Sequence, residues 1–160
     1  MSDNEGVAKV AELIKQIRFA MLTTADAQGR LVSRPMAVQE VEFDGDLWFF
    51  VDESSGAVGQ IRDDAQVNVS FSSSDSWVSV AGAAQVVVDE AKARELWNPA
   101  VEAWFPDGPD APGLRLIKVH ADTAEYWDSP GARVTTLLSY AKAKVTGEPY
   151  ERTENEIVDL

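Results

Sequence analysis

Apolar residues at Val7, Val10, Leu13, Ile14 and Ile17 recur at helical spacing, with acids near the start, and predict a helix over "DNEGVAKVAELIKQI". The pattern then turns strand-like in "RFAMLTTA" and breaks at "DAQGR", an Asp/Gly hairpin connection. A long strand over Leu31 to Val41 follows, then a tight turn at "FDGD" and a third strand at "LWFFVD", so this part reads as an antiparallel meander. Ser54 to Asp64 predicts a short helix capped by Ser54 or Ser55. "QVNVSFS" alternates with Val67, Val69 and Phe71 on one face, and "WVSVAGAAQVVVD" does so with Val78, Val80, Val86 and Val88. Gly82 shares the apolar phase of that strand, which implies a bend or a close backbone approach.

Further along, "EAKARELWN" predicts a helix ended or kinked by Pro99, with "AVEAWF" continuing it. "PDGPDAPG" is a loop, "LRLIKVHADTAEYWD" the last long strand and "ARVTTLLSYAKAKV" a closing helix ended near Gly147. The tail "EPYERTENEIVDL" is polar and expected to be loose, with Ile157, Val158 and Leu160 available to dock. Six or so antiparallel strands with a few helices predict an α+β, mainly β domain, a sheet or barrel. Residues 1–149 read as one domain and 150–160 as a polar tail. No repeat or domain linker interrupts them.

The 160 residues suffice for one domain with a single hydrophobic core, and 45% apolar content argues for a globular chain. Net charge is −13, from 27 acids against 14 bases, which repels nucleic acid and anionic membranes; neither is an expected partner. A phosphate-bearing ligand would need a local cationic pocket. The absence of cysteine excludes disulfides and thiolate chemistry and fits a reducing compartment. With no secretory segment at the start, a soluble cytoplasmic protein is expected.

Familiar catalytic sets are missing. One histidine and no cysteine exclude an all-imidazole or thiolate zinc site, so no metal centre is expected. His120 reads as a surface or structural residue, and neither GxSxG nor a phosphate-binding GxxxxGK[ST] loop occurs. The acids are scattered, so no carboxylate dyad stands out. Five Trp, six Phe and three Tyr are present instead, with Trp97, Trp104, Phe105 and Trp127 beside loops or element ends. They serve either core and dimer packing or a planar ligand held between rings.

Within "SRPMAV", Arg34 falls in the apolar phase of Val32, Met36 and Val38. An arginine there is costly unless paired, and no acid in the sequence is its evident mate. A ligand phosphate or carboxylate would satisfy it bidentately. Alternatively Pro35 marks a bulge that flips Arg34 to solvent.

The motifs "MLTTADAQGRLVSRPM", "DGDLWFFVDESS", "IRDDAQVNVSFS", "WVSVAGAAQVVVD", "LWNPAVEAWFPDGPDAPGLRLIKV" and "AEYWD" run in the order of one family. Over roughly Val10 to Pro149 the chain resembles the general stress proteins of the pyridoxamine 5′-phosphate oxidase-like, FMN-binding split-barrel superfamily. That resemblance implies a six-stranded antiparallel split β-barrel of Greek-key type with flanking helices. It also implies a homodimer with FMN in clefts at the subunit interface. By the same resemblance Arg34, Pro35, Met36 and Ala37 line the flavin, with Arg34 toward the phosphate or the ring's polar edge. Phe50, Val51, Asp52, Ser55, Gly56 and Ala57 pass beneath the ring and cup the phosphate. Trp77 takes a ring-edge position, and Trp104 and Phe105 stand near the cleft. The family's usual phosphate-binding lysine is replaced by Ala57, so a lysine restored there is expected to strengthen FMN binding. Three functions stay open to such a barrel: a flavin-dependent oxidoreductase, a flavin carrier or sensor without turnover, and a degenerate barrel that binds FMN weakly or takes another ligand. No catalytic residue is named by the resemblance.

Overall fold

The computed structural model describes residues 3–39, 42–129, 144 and 154–160. Helix α1 (Asp3–Lys15) buries Val10, Leu13 and Ile14, the stripe its spacing predicts. Strands β1 (Phe19–Ala25) and β2 (Leu31–Ala37) form a hairpin whose turn places Gly29 at φ 76°, a left-handed conformation that favours glycine. Strand β3 (Asp46–Asp52) leads into α2 (Gly56–Asp63), and β4 (Gln66–Ser72) and β5 (Ser76–Val87) follow. Two short helices, α3 (Glu90–Leu96) and α4 (Pro99–Trp104), meet where Pro99 starts the second. Strand β6 (Leu114–Asp128) and a terminal β7 (Glu154–Asp159) complete the described elements.

The seven strands form one open antiparallel sheet in the order β2-β1-β4-β5-β6-β3, with β7 also on β6. This is the expected α+β, mainly antiparallel architecture with flanking helices, carrying one strand more than expected. The extra strand is the tail. Val158 is buried in the main core, so the expectation of a loose tail is corrected for Glu154–Asp159. A strand has only two edges, and β5 takes one edge of β6. Hence β3, paired along Leu114–His120, and β7, paired along Thr123–Asp128, divide the other.

The meander is also corrected: β1 pairs with β2 and β4, whereas β3 pairs with β6. The reason lies in β3, which is apolar on both faces. Leu47, Phe49 and Val51 enter the main core, while Phe50 joins a second cluster with Ala93, Leu96, Val101, Leu114 and Leu116. Only beside β6, under α3 and α4, are both faces covered. Strand β2 ends at Ala37, short of the predicted Val41, which lies outside the described residues. So does nearly all of the predicted closing helix, of which Lys144 alone is described.

Gly82 meets both readings of its place in β5. The β5–β6 register shifts between Ala81 and Gly82, and a Cβ at Gly82 would fall 2.2 Å from the His120 carbonyl oxygen. At the far end, Lys9 of α1 reaches Asp128 at 2.6 Å, and Ser76 donates to the other carboxylate oxygen at 2.9 Å. Among the described residues no helix is long and apolar enough to cross a membrane.

Candidate functional site

Register decides where β2 sends its side chains. Arg34 lies opposite Leu22, which is fully buried, so the guanidinium points to the sheet's inner face. Pro35 sits opposite Met21 in an unshifted ladder, so it marks no bulge. It is tolerated because β2 ends the sheet order, where a missing N–H does not break a central ladder.

Arg34 is half-buried and held by neutral groups. Its Nη1 donates to Thr24 Oγ1 at 2.9 Å and its Nη2 to Gln60 Oε1 at 2.8 Å, with a long 3.5 Å contact to the Leu22 carbonyl. Thr24, buried at 1% exposure, donates its hydroxyl proton to the same Gln60 oxygen at 2.6 Å. Among the described residues no carboxylate lies within ion-pairing distance of Arg34. Burial accordingly pushes the guanidinium pKa down from its ordinary value, although arginine stays charged throughout the working pH range.

Gln60 is one turn past Gly56 on the same side of α2, so Arg34 is fastened to the flank that carries Gly56. Ser55 caps this helix, its Oγ accepting the Ala57 N–H at 3.4 Å. Asp52 shapes the approach: its Oδ1 accepts from the Ser54 N–H at 2.9 Å and the Ser54 hydroxyl at 2.5 Å. Those two bonds lower the Asp52 pKa. A helix start with a cap, a serine hydroxyl and a guanidinium is a donor set suited to phosphate.

The other predicted residues divide among four surroundings. Met36 packs against the main core beside Arg34's face, and Val51 and Ala57 lie inside that core. Ala57 is 1% exposed, so the position matched to the missing lysine faces inward and not toward any ligand surface. Phe50 and Phe105 belong to the second cluster, their ring centroids 6.2 Å apart, with Trp97 edge-on to Phe50 at 5.6 Å. Trp104 stands 73% exposed at the end of α4.

Pro35 and Ala37 point to the outer face of the sheet with their β1 partners Met21 and Phe19. Trp77 shares that face, since Met21 pairs with Ser70, Ser70 with Ser79, and Trp77 is two residues away. Phe19, Met21 and Trp77 are exposed there by 59%, 41% and 41%. Alternation along β2 therefore separates Arg34 and Met36 from Pro35 and Ala37. His120 is a surface residue, its Nδ1 2.9 Å from Asp46 Oδ1.

Sequence reasoning missed Thr24 and Gln60. Thr24 had a signal of the same kind as Arg34, a polar residue in the apolar phase of Ala20 and Leu22. Gln60 had none, because a glutamine on a short helix is ordinary. A cavity of about 120 Å³ opens between α3 and the 109–112 loop, lined by Asp89, Glu90, Asp110 and Arg115 among others. It is smaller than the roughly 300–1,000 Å³ of sites for drug-sized ligands.

The profile of the family described as pyridoxamine 5′-phosphate oxidase like matches residues 5–151. Protein bli-3 of Neurospora crassa is 35% identical over 144 residues, covering 82% of this chain and 69% of that protein. A solved structure from Jannaschia sp. CCS1, described as a general stress protein 26, aligns with TM-score 0.78 at 21% identity over 98% of this chain and 99% of its own. The general stress FMN/FAD binding protein of Xanthomonas citri aligns with TM-score 0.66 at 31% identity, covering 78% of this chain and 89% of its own.

Proposed function

The chain belongs to the pyridoxamine 5′-phosphate oxidase-like family, and from that premise we propose that it binds a phosphorylated flavin, FMN, beside Arg34 and the start of α2. The observation that carries this reading is a half-buried guanidinium whose partners among the described residues are all neutral, with N–H groups left over for an anion. Arg34, Ser55 and the N–H groups opening α2 would hold the phosphate. Bound flavin supplies two-electron redox chemistry, and the chain contributes orientation and electrostatics. The finer proposal is a flavin-dependent oxidoreductase.

The ring requires more enclosure than one chain offers in its described cavities. We propose that a second copy packs on the outer face bearing Phe19, Met21, Pro35 and Trp77 and completes the cleft around the edge of β2, which ends the sheet order. Exposed aromatic and apolar side chains gathered on one sheet face favour symmetric pairing.

One observation favours a second reading, a barrel that has lost tight FMN binding: neither the exposed Gly56 nor the buried Ala57 at the start of α2 supplies the lysine matched to this segment. The absorption spectrum of the purified protein, with and without added FMN, separates the two. A retained flavin band after gel filtration supports the first reading, and protein left colourless after incubation with excess FMN supports the second. Bleaching of bound flavin by NADH or NADPH would mark the oxidoreductase.

A further inference from the structure

Arg34, Thr24 and Gln60 form a closed ring of hydrogen bonds with a fixed direction. Arginine has no acceptor, so Gln60 must turn its Oε1 to it, and that oxygen also takes the one proton of Thr24, 2.6 Å away. Thr24 in turn accepts from Arg34 at 2.9 Å. Both anchors come from rigid elements, β1 and α2, and Thr24 is 1% exposed, so the ring cannot rearrange cheaply. Both are also neutral. A carboxylate at either place would hold the guanidinium equally well and cancel its charge.

We infer that Gln60 is a positioning residue that makes the site select phosphorylated over unphosphorylated flavin, by fixing Arg34 through its Nη groups while leaving its charge uncompensated. The inference rests on the flavin reading above. Gln60 and Thr24 together aim the guanidinium along the Gly56 flank of α2, and the Nε–H is left free of both anchors.

The test is a set of fluorescence titrations with FMN and with riboflavin. It uses the wild type, Gln60→Glu, Arg34→Met and the double variant, each checked for fold by circular dichroism. Glutamate preserves the size and acceptor geometry of residue 60 and adds only charge. The expected result is a loss of FMN affinity of about tenfold or more in Gln60→Glu, with riboflavin affinity within about twofold of wild type. In the Arg34→Met background the same change should alter FMN affinity by less than about threefold, because it acts through Arg34. Equal losses in both backgrounds would overturn the inference, as would an unchanged preference for FMN in Gln60→Glu. Wild type that binds neither flavin would instead overturn the flavin reading itself. Should Gln60→Glu fail to fold, Thr24→Val removes the other anchor with little change of shape. It is expected to reduce FMN affinity alone, and an unchanged FMN-to-riboflavin ratio would overturn the inference.

Discussion

Gly56 and Ala57 are adjacent in the chain and stand in different surroundings, one open and one buried. Ala57 is 1% exposed within the main core, whereas a Cβ at Gly56 would meet nothing within 4 Å. If phosphate binds at the start of α2 as proposed, a cation added to hold it therefore belongs at 56. Gly56→Lys should strengthen FMN binding about five- to thirtyfold, the worth of roughly 1–2 kcal/mol near a partly exposed phosphate, and leave riboflavin unchanged. Ala57→Lys, expected from the motif alone to help, should instead lower the melting temperature, because it drives an ammonium into packed side chains. Paired titrations and thermal melts check both.

Lys9 and Asp128 tie α1 to the end of β6. Desolvation pushes the Asp128 pKa up, but hydrogen bonds from Lys9 and Ser76, with the charge of Lys9, outweigh it and hold the carboxyl below its ordinary value. The Asp128 contribution is thus complete above the unfolded pKa of about 3.9 and is lost as pH falls through the lower folded value. The hydrogen bond to Asp128 raises the Lys9 pKa despite desolvation, so its contribution is complete below about 10.4 and is lost as pH rises through the higher folded value. Lys9→Met should destabilise the fold near neutrality by the low end of about 3–5 kcal/mol, since Lys9 is only partly buried. Urea melts across pH should show the gap narrowing below about pH 4, where the carboxylate protonates.

Two glycines predict opposite signs. Gly82→Ala puts a methyl group 2.2 Å from the His120 carbonyl oxygen, so β5 and β6 must separate at their bulge. A loss of about 1–3 kcal/mol is expected. Gly59 in α2 has open space around it, and Gly59→Ala should gain roughly 0.5–1 kcal/mol of helix stability. Each kcal/mol corresponds to about 2–4 °C in melting temperature for a chain of this size.

Met21, 41% exposed on the outer face beside Pro35, tests the pairing of two copies. Wild type is expected to sediment near twice its 17.5 kDa chain mass, and Met21→Glu near the single-chain mass with its secondary structure intact. Wild type at the single-chain mass would remove the cleft proposed between protomers.

Most strand boundaries were legible because alternation is a local property, and β4 follows the pattern residue by residue. Strand β5 does so at Val78 and Val80, whereas Val86 is only half-buried and Val88, expected in the same phase, lies past the end of the strand at 69% exposure. Pairing was less legible. Nothing local says that β3 passes over its neighbour β2 to join β6; the apolar residues on both its faces were the clue. The tail's polar composition hid β7, which docks through its ladder with β6, through Val158 in the core and through Tyr126, whose hydroxyl faces Glu154 and Glu156. At the site, Arg34 stood out because its charge broke an apolar phase. Its partners did not, since Thr24 and Gln60 acquire meaning only when β1, β2 and α2 meet. Four consecutive residues from Arg34 to Ala37 were matched to one ligand, but alternation sends them to two faces.

The most direct test is an equilibrium titration of wild type and Arg34→Ala with FMN and riboflavin. Loss of a charge-assisted hydrogen bond is worth about 1.5–3 kcal/mol, so FMN affinity should fall about ten- to a hundredfold in the variant while riboflavin affinity holds. Equal FMN affinity in the two proteins would show that Arg34 serves the fold alone and would contradict a phosphoflavin site beside α2.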